Sequence, residues 1–209
     1  MKIGIIGTGN MGTILIEALI DGKAVSPSSM VITNRTKTKA TLLKDKYKDI
    51  RVGENAAAVA SQSDLVFICV KPLDVYKILD EINPHLNNKK CIISITSPID
   101  TNQLAAKTIS SVIRVIPSIT NRALAGVSLI TYGEQCSDSW KTKVESLFAK
   151  ISVPVTIDEK ITRVASDIVS CGPAFFSYLL QRFILAAVKE TEIDQETATV
   201  MASEMIVGL

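Results

Sequence analysis

The stretch IGIIGTGNMG, residues 3–12, sets a short apolar run directly before three glycines in the spacing Gly7-x-Gly9-x-x-Gly12. An apolar strand that leads through such glycines into a helix is the context that a dinucleotide-binding fingerprint requires. Gly7 permits the tight turn, Gly9 lets the backbone approach a pyrophosphate, and Gly12 lets helix and strand pack closely. The stretch therefore predicts a Rossmann nucleotide-binding domain, against the alternative of a glycine-rich turn that binds nothing.

Strand-like and helix-like segments alternate along residues 1–156, which is typical of a parallel sheet with crossover helices. We expect an α/β domain with a doubly wound parallel sheet in this region. The predicted strands are Lys2–Ile6, Met30–Thr33, Asp64–Val70, Cys91–Ile95, Ser111–Ile116 and Val127–Thr131. The predicted helices are Met11–Ile20, Thr38–Tyr47, Leu73–Ile82 and Ser139–Lys150.

The pattern changes after Pro154, beyond which only helices are predicted. We expect an all-helical domain over residues 157–209. The helix from Ala174 to Glu190 is apolar on nearly every side and must therefore be buried on all sides, which the few remaining residues cannot do. The sequence thus predicts a homo-oligomer formed through the C-terminal helices. The predicted helices of this domain are Glu159–Val169, Ala174–Glu190 and Gln195–Val207.

The bulk composition argues against several classes of protein. The net charge is +2 without a basic block, whereas a nucleic-acid partner needs a clustered basic face. The four cysteines form no Cys-x-x-Cys pair and the single histidine, His85, is expected at the surface, so we predict reduced thiols and no metal site. The apolar stretch Phe175–Val188 is shorter than the ~20 residues of a membrane span. We expect a cytoplasmic protein.

The residues after the second predicted strand decide the type of dinucleotide. An NAD site places Asp or Glu there to accept from the ribose 2′-hydroxyl. This chain has Asn34, Arg35 and Thr36 instead. A guanidinium can pair with a 2′-phosphate, which favours NADP(H), although an exposed arginine held only by solvent is the alternative. Lys71 ends another strand at the same edge of the sheet and is expected near the nicotinamide half of the cofactor.

Several motifs carry a resemblance to one family over the whole chain. They are IGTGNMG at 6–12, NRT at 34–36, VKP at 70–72, ISITS at 93–97, RVIPS at 114–118 and SCGPAF at 170–175. In these motifs the chain resembles the pyrroline-5-carboxylate reductase family. The resemblance implies reduction of 1-pyrroline-5-carboxylate to L-proline with NADPH, and a helical C-terminal domain that interleaves with a second subunit.

The resemblance also implies which residues form the sites, without assigning a catalytic residue. The substrate-binding residues that it implies are Ser170, Cys171, Gly172 and Pro173, with the N–H groups of a helix terminus around Gly172 holding the substrate carboxylate. The cofactor contacts that it implies are Ile6, Gly7, Thr8, Gly9, Asn10, Met11, Gly12, Asn34, Arg35, Thr36, Asn55, Val70, Lys71, Pro72, Ser94 and Thr96.

The chain departs from the family pattern at several positions. It has Thr96-Ser97-Pro98 where the family reads Ala-Ala-Gly, Arg163 where the family has an acid, and Ser170 where it has glycine. A later Pro-Gly-Gly-Thr-Thr loop has no counterpart, so we expect the helical domain to be incomplete. The alternative hypothesis is a weakly catalytic or non-catalytic cofactor-binding paralogue with a regulatory role in competence or sporulation. Cys171 as a redox or nucleophilic group is a minor third hypothesis.

Overall fold

The computed structural model describes residues 1–208 and contains one eight-stranded sheet. Its strands in chain order are β1 (Ile3–Ile6), β2 (Met30–Thr33), β3 (Arg51–Val52), β4 (Leu65–Ile68), β5 (Cys91–Ser94), β6 (Ser111–Ile116), β7 (Val127–Tyr132) and β8 (Val153–Thr156). The order across the sheet is β3-β2-β1-β4-β5-β6-β7-β8. The first six strands run parallel, whereas β7 is antiparallel to β6 and β8 is parallel to β7. The predicted Rossmann fold is confirmed, with two reversed strands at one edge.

Helices connect the strands, and their bounds lie close to those predicted for the longer elements. The α-helices are α1 (Asn10–Asp21), α2 (Lys37–Lys46), α3 (Ala56–Ser61), α4 (Val75–Ile82), α5 (Thr101–Ala105), α6 (Asp138–Phe148), α7 (Thr162–Ser166), α8 (Gly172–Glu190) and α9 (Gln195–Val207). The short 3₁₀ turns are Pro27–Ser29, Pro72–Asp74, Asn83–His85, Ile119–Ala123 and Glu159–Ile161, and a π-turn covers Asp167–Cys171.

The sheet is buried on both faces, which explains why its central strands are continuous apolar runs. Side chains alternate along a strand, so Phe67 joins the core on one face and Ile68 joins the core on the other. The first core contains Leu15 of α1 and Phe148 of α6, and the second contains Leu79 of α4. The two layers of helices therefore hold the carboxyl ends of the parallel strands at one edge, where ligands bind in folds of this type.

Four short elements were not predicted from the sequence. Both residues of β3 are exposed, and α3 and α5 have at most six residues, so none of them shows a strong period. Strand β8 is mostly exposed and contains Pro154, which suggested the end of the sheet. A proline is tolerated in β8 because this strand lies at the sheet edge. Within the described residues, no further strand is present there to need the N–H that proline lacks.

The chain divides into two compact units, Met1–Val169 and the residues from Ser170 onward. The sequence placed the domain boundary between residues 156 and 157. Ile157 packs with Ile116 and Leu129 of the sheet, and Ala165 and Val169 pack against the same small cluster. The segment after β8 therefore belongs to the first unit by its packing.

The second unit consists of α8 and α9, which pack against each other. Among the described residues of these two helices only Gly172, Ala198 and Ala202 are buried. The large apolar side chains of α8 are exposed, and Phe176 has an exposed fraction of 74%. The helical character predicted for this region is confirmed, and its apolar surface is uncovered in the single chain.

The predicted break between two helices near Gly172 does not occur. The chain stays helical from Thr162 through the π-turn into α8, with Cys171 in the right-handed helical region. Pro173 lies in the first turn of α8, a position that tolerates proline, and the π-turn Asp167–Cys171 directly precedes it. Within residues 1–208, only the stretch Glu159–Glu190 is long and apolar enough to cross a membrane, a criterion that core helices of soluble proteins also meet.

Candidate dinucleotide-binding site

The glycine turn after β1 has the conformation that its sequence predicts. Gly7 has φ of 105°, which favours glycine, and its N–H donates to the Thr33 carbonyl at 2.8 Å. A Cβ on Gly7 would lie 2.4 Å from the Cys69 carbonyl oxygen, and a Cβ on Gly12 would lie 2.0 Å from the Gly7 carbonyl oxygen. A Cβ on Gly9 would meet nothing within 4 Å. Gly7 and Gly12 are therefore required by the fold, whereas Gly9 leaves open space over the turn.

Asn34 ties the glycine turn to the end of β2. The Thr8 N–H donates to the Asn34 side-chain oxygen at 3.0 Å, and the Asn34 side-chain nitrogen donates to the Thr36 carbonyl at 3.0 Å. The Thr8 hydroxyl is buried and has no hydrogen-bond partner among the described residues. The amide of Asn34 thus shapes the turn, and the Thr8 hydroxyl is a free polar group at the point where the fingerprint predicts a phosphate.

A cavity of about 490 Å³ opens at the carboxyl ends of β1, β2 and β4. It brings together nine of the residues predicted to contact the cofactor, which come from four separate segments of the chain. These residues are Ile6, Gly7, Gly9, Asn34, Arg35, Thr36, Asn55, Val70 and Lys71. Five basic and three acidic side chains line the same cavity: Arg35, Lys37, Lys39, Lys71 and Lys77, and Glu54, Asp74 and Glu81.

The cations of this cavity are concentrated at the start of α2. The Arg35 guanidinium is exposed and makes no hydrogen bond or ion pair with the described residues, and Thr36, the N-cap, uses its side chain for no capping bond. Lys37 and Lys39 lie in the first turn, which holds no acidic residue. Positive side chains are unfavourable at the positive end of a helix dipole, so this arrangement favours an anion there.

A second cavity, of about 800 Å³, lies on the other side of the glycine turn. Thr8, Gly9 and Asn10 line it, so Gly9 borders both cavities. Its far wall carries Glu17, whose carboxylate pairs with Lys46 at 2.8 Å and with Arg122 at 3.1 Å. The second cavity thus contains two further residues predicted to contact the cofactor, Thr8 and Asn10.

Two of the acidic and amide groups near the first cavity have structural partners. Asn55 is the N-cap of α3, and its side-chain oxygen accepts from the Ala58 N–H at 2.8 Å. Glu81 accepts from the N–H groups of Ala56 and Ala57 at 3.1 and 3.3 Å. The charge of Glu81 is therefore directed at the start of α3, which leaves the basic side chains dominant on the side of Arg35.

The remaining predicted contacts lie outside both cavities. Ser94 and Thr96 are buried, and their hydroxyl groups bond to each other at 2.9 Å. Because the helix is continuous through Gly172, the helix terminus expected there as a carboxylate site is not formed. The residues outside the cavities are Met11, Gly12, Pro72, Ser94 and Thr96, and the predicted substrate residues Ser170, Cys171, Gly172 and Pro173.

The four thiols of the chain differ in burial and in pKa. Burial raises the pKa of the Cys69 thiol, which lines the first cavity, to about 12. Burial likewise raises the pKa of the Cys91 and Cys136 thiols. All four cysteines are free, and Cys171 is exposed. Within residues 1–208 there is no cluster of three potential metal ligands.

Comparisons with known proteins agree with this geometry. Residues 2–98 match a family model described as "NADP oxidoreductase coenzyme F420-dependent", and residues 159–209 match "Pyrroline-5-carboxylate reductase dimerisation". The chain is 56% identical to ComE operon protein 4 of Bacillus subtilis, over 100% of this chain and 77% of the relative. It is 31% identical to the pyrroline-5-carboxylate reductase of Methanobrevibacter smithii, over 85% of this chain and 71% of the relative.

The chain belongs to the pyrroline-5-carboxylate reductase family. A solved structure of the Plasmodium falciparum member with NADP bound superposes with a TM-score of 0.89 at 21% identity, covering 100% of this chain and 76% of that one. An Aspergillus terreus imine reductase superposes with a TM-score of 0.64 at 19% identity, covering 99% and 72%. These likenesses confirm the fold. The predicted cofactor type, NADP(H), is confirmed at the level of the family by the description of the matching N-terminal model.

One residue of this family member has a position that the sequence reasoning missed. Arg114 lies in the middle of β6, whose six residues are all buried and include no other charged side chain. It is 2% exposed and forms an ion pair with Glu159. The signal that could have identified Arg114 is the charge itself, because a cation inside a buried strand must have partners elsewhere in the fold.

Proposed function

We propose that the protein is an NADP(H)-dependent reductase of a cyclic imino acid, with 1-pyrroline-5-carboxylate as substrate and L-proline as product. The observation that carries the cofactor part is the open backbone at Gly9 beside the cation cluster of Arg35, Lys37 and Lys39. The substrate part is supported by the name of the relatives, since several related proteins are called pyrroline-5-carboxylate reductases.

Different residues of the first unit are assigned to the 2′-phosphate and to the pyrophosphate of the dinucleotide. Arg35 and the N-terminus of α2 hold the 2′-phosphate, because charge-assisted bonds from a guanidinium match its oxygens. The N-terminus of α1 and the free hydroxyl of Thr8 would hold the pyrophosphate, beside the open backbone at Gly9. When bound, NADPH supplies the hydride.

The reaction needs positioning more than acid–base groups of the protein. A hydride adds to the imine carbon of a substrate that arrives protonated on nitrogen, so the nitrogen already carries the proton of the product amine. The balance is one NADPH and one proton consumed for each imine reduced, and no cysteine or histidine takes part. The burial that raises the pKa of Cys69 fits this assignment, because it keeps that thiol neutral and unreactive.

We further propose a cytoplasmic homo-oligomer that forms through the C-terminal helices. The support is the apolar surface of α8 and α9 together with the match of residues 159–209 to a dimerisation model. Exposed contiguous apolar patches of this kind mark interaction surfaces in soluble proteins. A second copy of the chain is the partner that this support favours.

The second candidate function is a cofactor-binding paralogue with little or no turnover and a regulatory role in competence or sporulation. Two observations favour it. The helix terminus expected to hold the substrate carboxylate is not formed, and Arg163, which replaces an acid of the family, pairs with Asp167 at 2.8 Å. The name ComE operon protein 4 of the 56% identical relative supports the competence role.

One experiment separates the two candidates. The purified chain is given NADPH and 1-pyrroline-5-carboxylate, L-proline is quantified as product, and NADPH binding is titrated in parallel. The variant Gly9→Val serves as the control without a phosphate site. Turnover near ~10 s⁻¹, the median for enzymes, supports the reductase, whereas tight NADPH binding without L-proline supports the paralogue. A wild-type chain that binds no NADPH contradicts both.

A further inference from the structure

Arg114 connects four segments of the first unit through one guanidinium. Its Nη2 lies 2.6 Å from the Glu159 carboxylate and also donates to the hydroxyl groups of Thr131 and Thr162. Its Nη1 donates to the Ser97 carbonyl at 3.4 Å. The side chain is almost fully buried, so these groups are the partners of Nη1 and Nη2 in place of water, while Nε has no hydrogen-bond partner among the described residues.

Glu159 extends the same connection to a second point of the chain. Its Oε2 pairs with Arg114, while its Oε1 accepts from both the N–H and the hydroxyl of Thr101, each at 3.0 Å. The backbone from Ser97 to Thr101 is therefore held at both ends, at Ser97 by Arg114 and at Thr101 by Glu159. We call residues 95–101 the β5 loop, because they follow β5 directly.

The β5 loop lies where the topology places the second half of a dinucleotide. In a sheet with this strand order the cofactor crosses the crevice between β1 and β4, with one half on each side. Arg35 follows β2 and marks the adenosine side, which leaves the ends of β4 and β5 for the nicotinamide side. Arg114 is the register partner of Ser94, the last residue of β5, so it lies at the base of this loop.

Burial of the charged Arg114 side chain, considered by itself, lowers the stability of the fold. Removing a charged pair from water costs several kcal/mol, and apolar residues of similar volume often replace such pairs without loss of stability. Val112 and Ile116, the residues of β6 on the same face as Arg114, are buried and apolar, so an apolar side chain is compatible with this face of the strand. A role in orienting the bonded loop accounts for a charge that the core does not need.

We propose that Arg114 and Glu159 are positioning residues that hold the β5 loop in the conformation that receives the nicotinamide half of NADP(H). The inference rests on the proposed function, since it assigns the ligand of the same site. A loop held by the protein need not be ordered by the ligand, so binding of the nicotinamide half is tighter. The adenosine half, on the side of Arg35, gains nothing from this connection.

Two ligands test the inference without requiring turnover. NADPH contains the nicotinamide half, and adenosine 2′,5′-bisphosphate lacks it but keeps the 2′-phosphate. Glu159→Gln replaces the charged carboxylate by a neutral amide and so removes the ion pair with the guanidinium. In this variant we expect the Kd for NADPH to rise about tenfold and the Kd for the bisphosphate to stay within about twofold. Thr101→Val, which removes one hydrogen bond to Glu159, gives the same selective change at a smaller size.

Trp140→Phe is the matched control. The Trp140 side chain is buried to a similar degree, and its indole N–H donates to the Lys89 carbonyl near the opposite end of β5, at 3.2 Å. We expect this variant to lose thermal stability with no selective change in NADPH affinity. Arg114→Lys provides a second test, because lysine keeps the charge but lacks the fork that reaches both Ser97 and Glu159.

The outcomes separate the inference from the proposed function. Equal loss of both ligands in Glu159→Gln and Thr101→Val, or no loss of either, contradicts the positioning role while a wild type that binds both ligands keeps the function. A selective loss in Trp140→Phe of the same size also contradicts it. A wild type that binds neither ligand overturns the proposed function and the inference together.

Discussion

The two units of the chain differ in how they use their apolar residues. In the first unit, helices cover both faces of the sheet, and side chains such as Phe67 and Phe148 are fully buried. In the second unit α8 has 19 residues, of which only Gly172 is buried, while Phe175, Phe176 and Phe183 are largely exposed. The first unit thus satisfies its own hydrophobic pattern, whereas the second requires a surface that the single chain does not supply.

The roles of the two units therefore depend on different properties. The first unit contains the cavities and the glycine turn, so its role follows from the geometry of one chain. The second unit has an apolar surface and lies within residues 159–209, which match a dimerisation model, so the role proposed for it is association. The predictions below test this division, from the largest expected effect to the smallest.

The largest effect is expected from Phe183→Glu in α8. In a symmetric dimer the change occurs twice, and each buried phenylalanine lost costs about 3 kcal/mol, so we expect the dimer Kd to rise about 10⁴-fold. Light scattering at micromolar concentration then reports a monomer. Lys189→Gln, on the exposed end of the same helix, should leave the dimer intact. A wild-type chain that is a stable monomer would contradict the prediction, because the apolar side chains of α8 would then need no second copy to bury them.

The second prediction compares two glycines of one turn. Gly9→Val should lower NADPH affinity more than about 100-fold with an unchanged melting temperature, because its Cβ meets no atom of the protein but occupies the path of the pyrophosphate. Gly12→Ala should destabilise the first unit by about 2 kcal/mol or more, since its Cβ overlaps the Gly7 carbonyl. Titration and thermal melts of both variants provide the check. Retained micromolar affinity in folded Gly9→Val would rule out this turn as the phosphate site.

The third prediction concerns the choice of dinucleotide. Arg35→Ala should weaken NADPH binding by about 1.5–3 kcal/mol, the range of a hydrogen bond to a charged group, and should leave NADH binding nearly unchanged. Arg51→Ala, an exposed arginine that bonds to Gln62, is the matched control and should affect neither ligand. Equal losses of NADPH and NADH in Arg35→Ala would refute the assignment of the 2′-phosphate to Arg35.

The fourth prediction uses the thiols, which are buried in the first unit and exposed at Cys171 in the second. The pKa of Cys69 is raised from 9.0 to about 12, so the neutral thiol stabilises the fold fully below pH 9. Between pH 9 and 12 the unfolded chain releases this proton first, and stability falls by up to about 1.4 kcal/mol per pH unit. Cys69→Ala should lose less stability over this interval than wild type, and Cys171→Ala the same as wild type. Denaturant melts at several pH values measure the difference.

The sequence predicted the sites that depend on local order. The fingerprint at Gly7, Gly9 and Gly12 lies within six residues of one turn, so its spacing and its flanking strand were sufficient to interpret it. Arg35 was predicted to pair with the 2′-phosphate because it directly follows the second predicted strand. Pro173 was interpreted as a helix start because proline suits a first turn, and the π-turn before it was invisible to that rule.

By itself the sequence determined the Rossmann fold, the three glycines with separate roles and the uncovered apolar character of α8, because strand and helix periods and turn chemistry are local properties. Only the tertiary structure decided that β8 completes the sheet edge and that Arg114 joins Ser97 to Glu159. Two of the hydrogen-bond partners of Arg114, Ser97 and Thr162, are 17 and 48 residues away from it in the chain. Contacts over such separations depend on how the sheet is ordered, and no local pattern encodes that order.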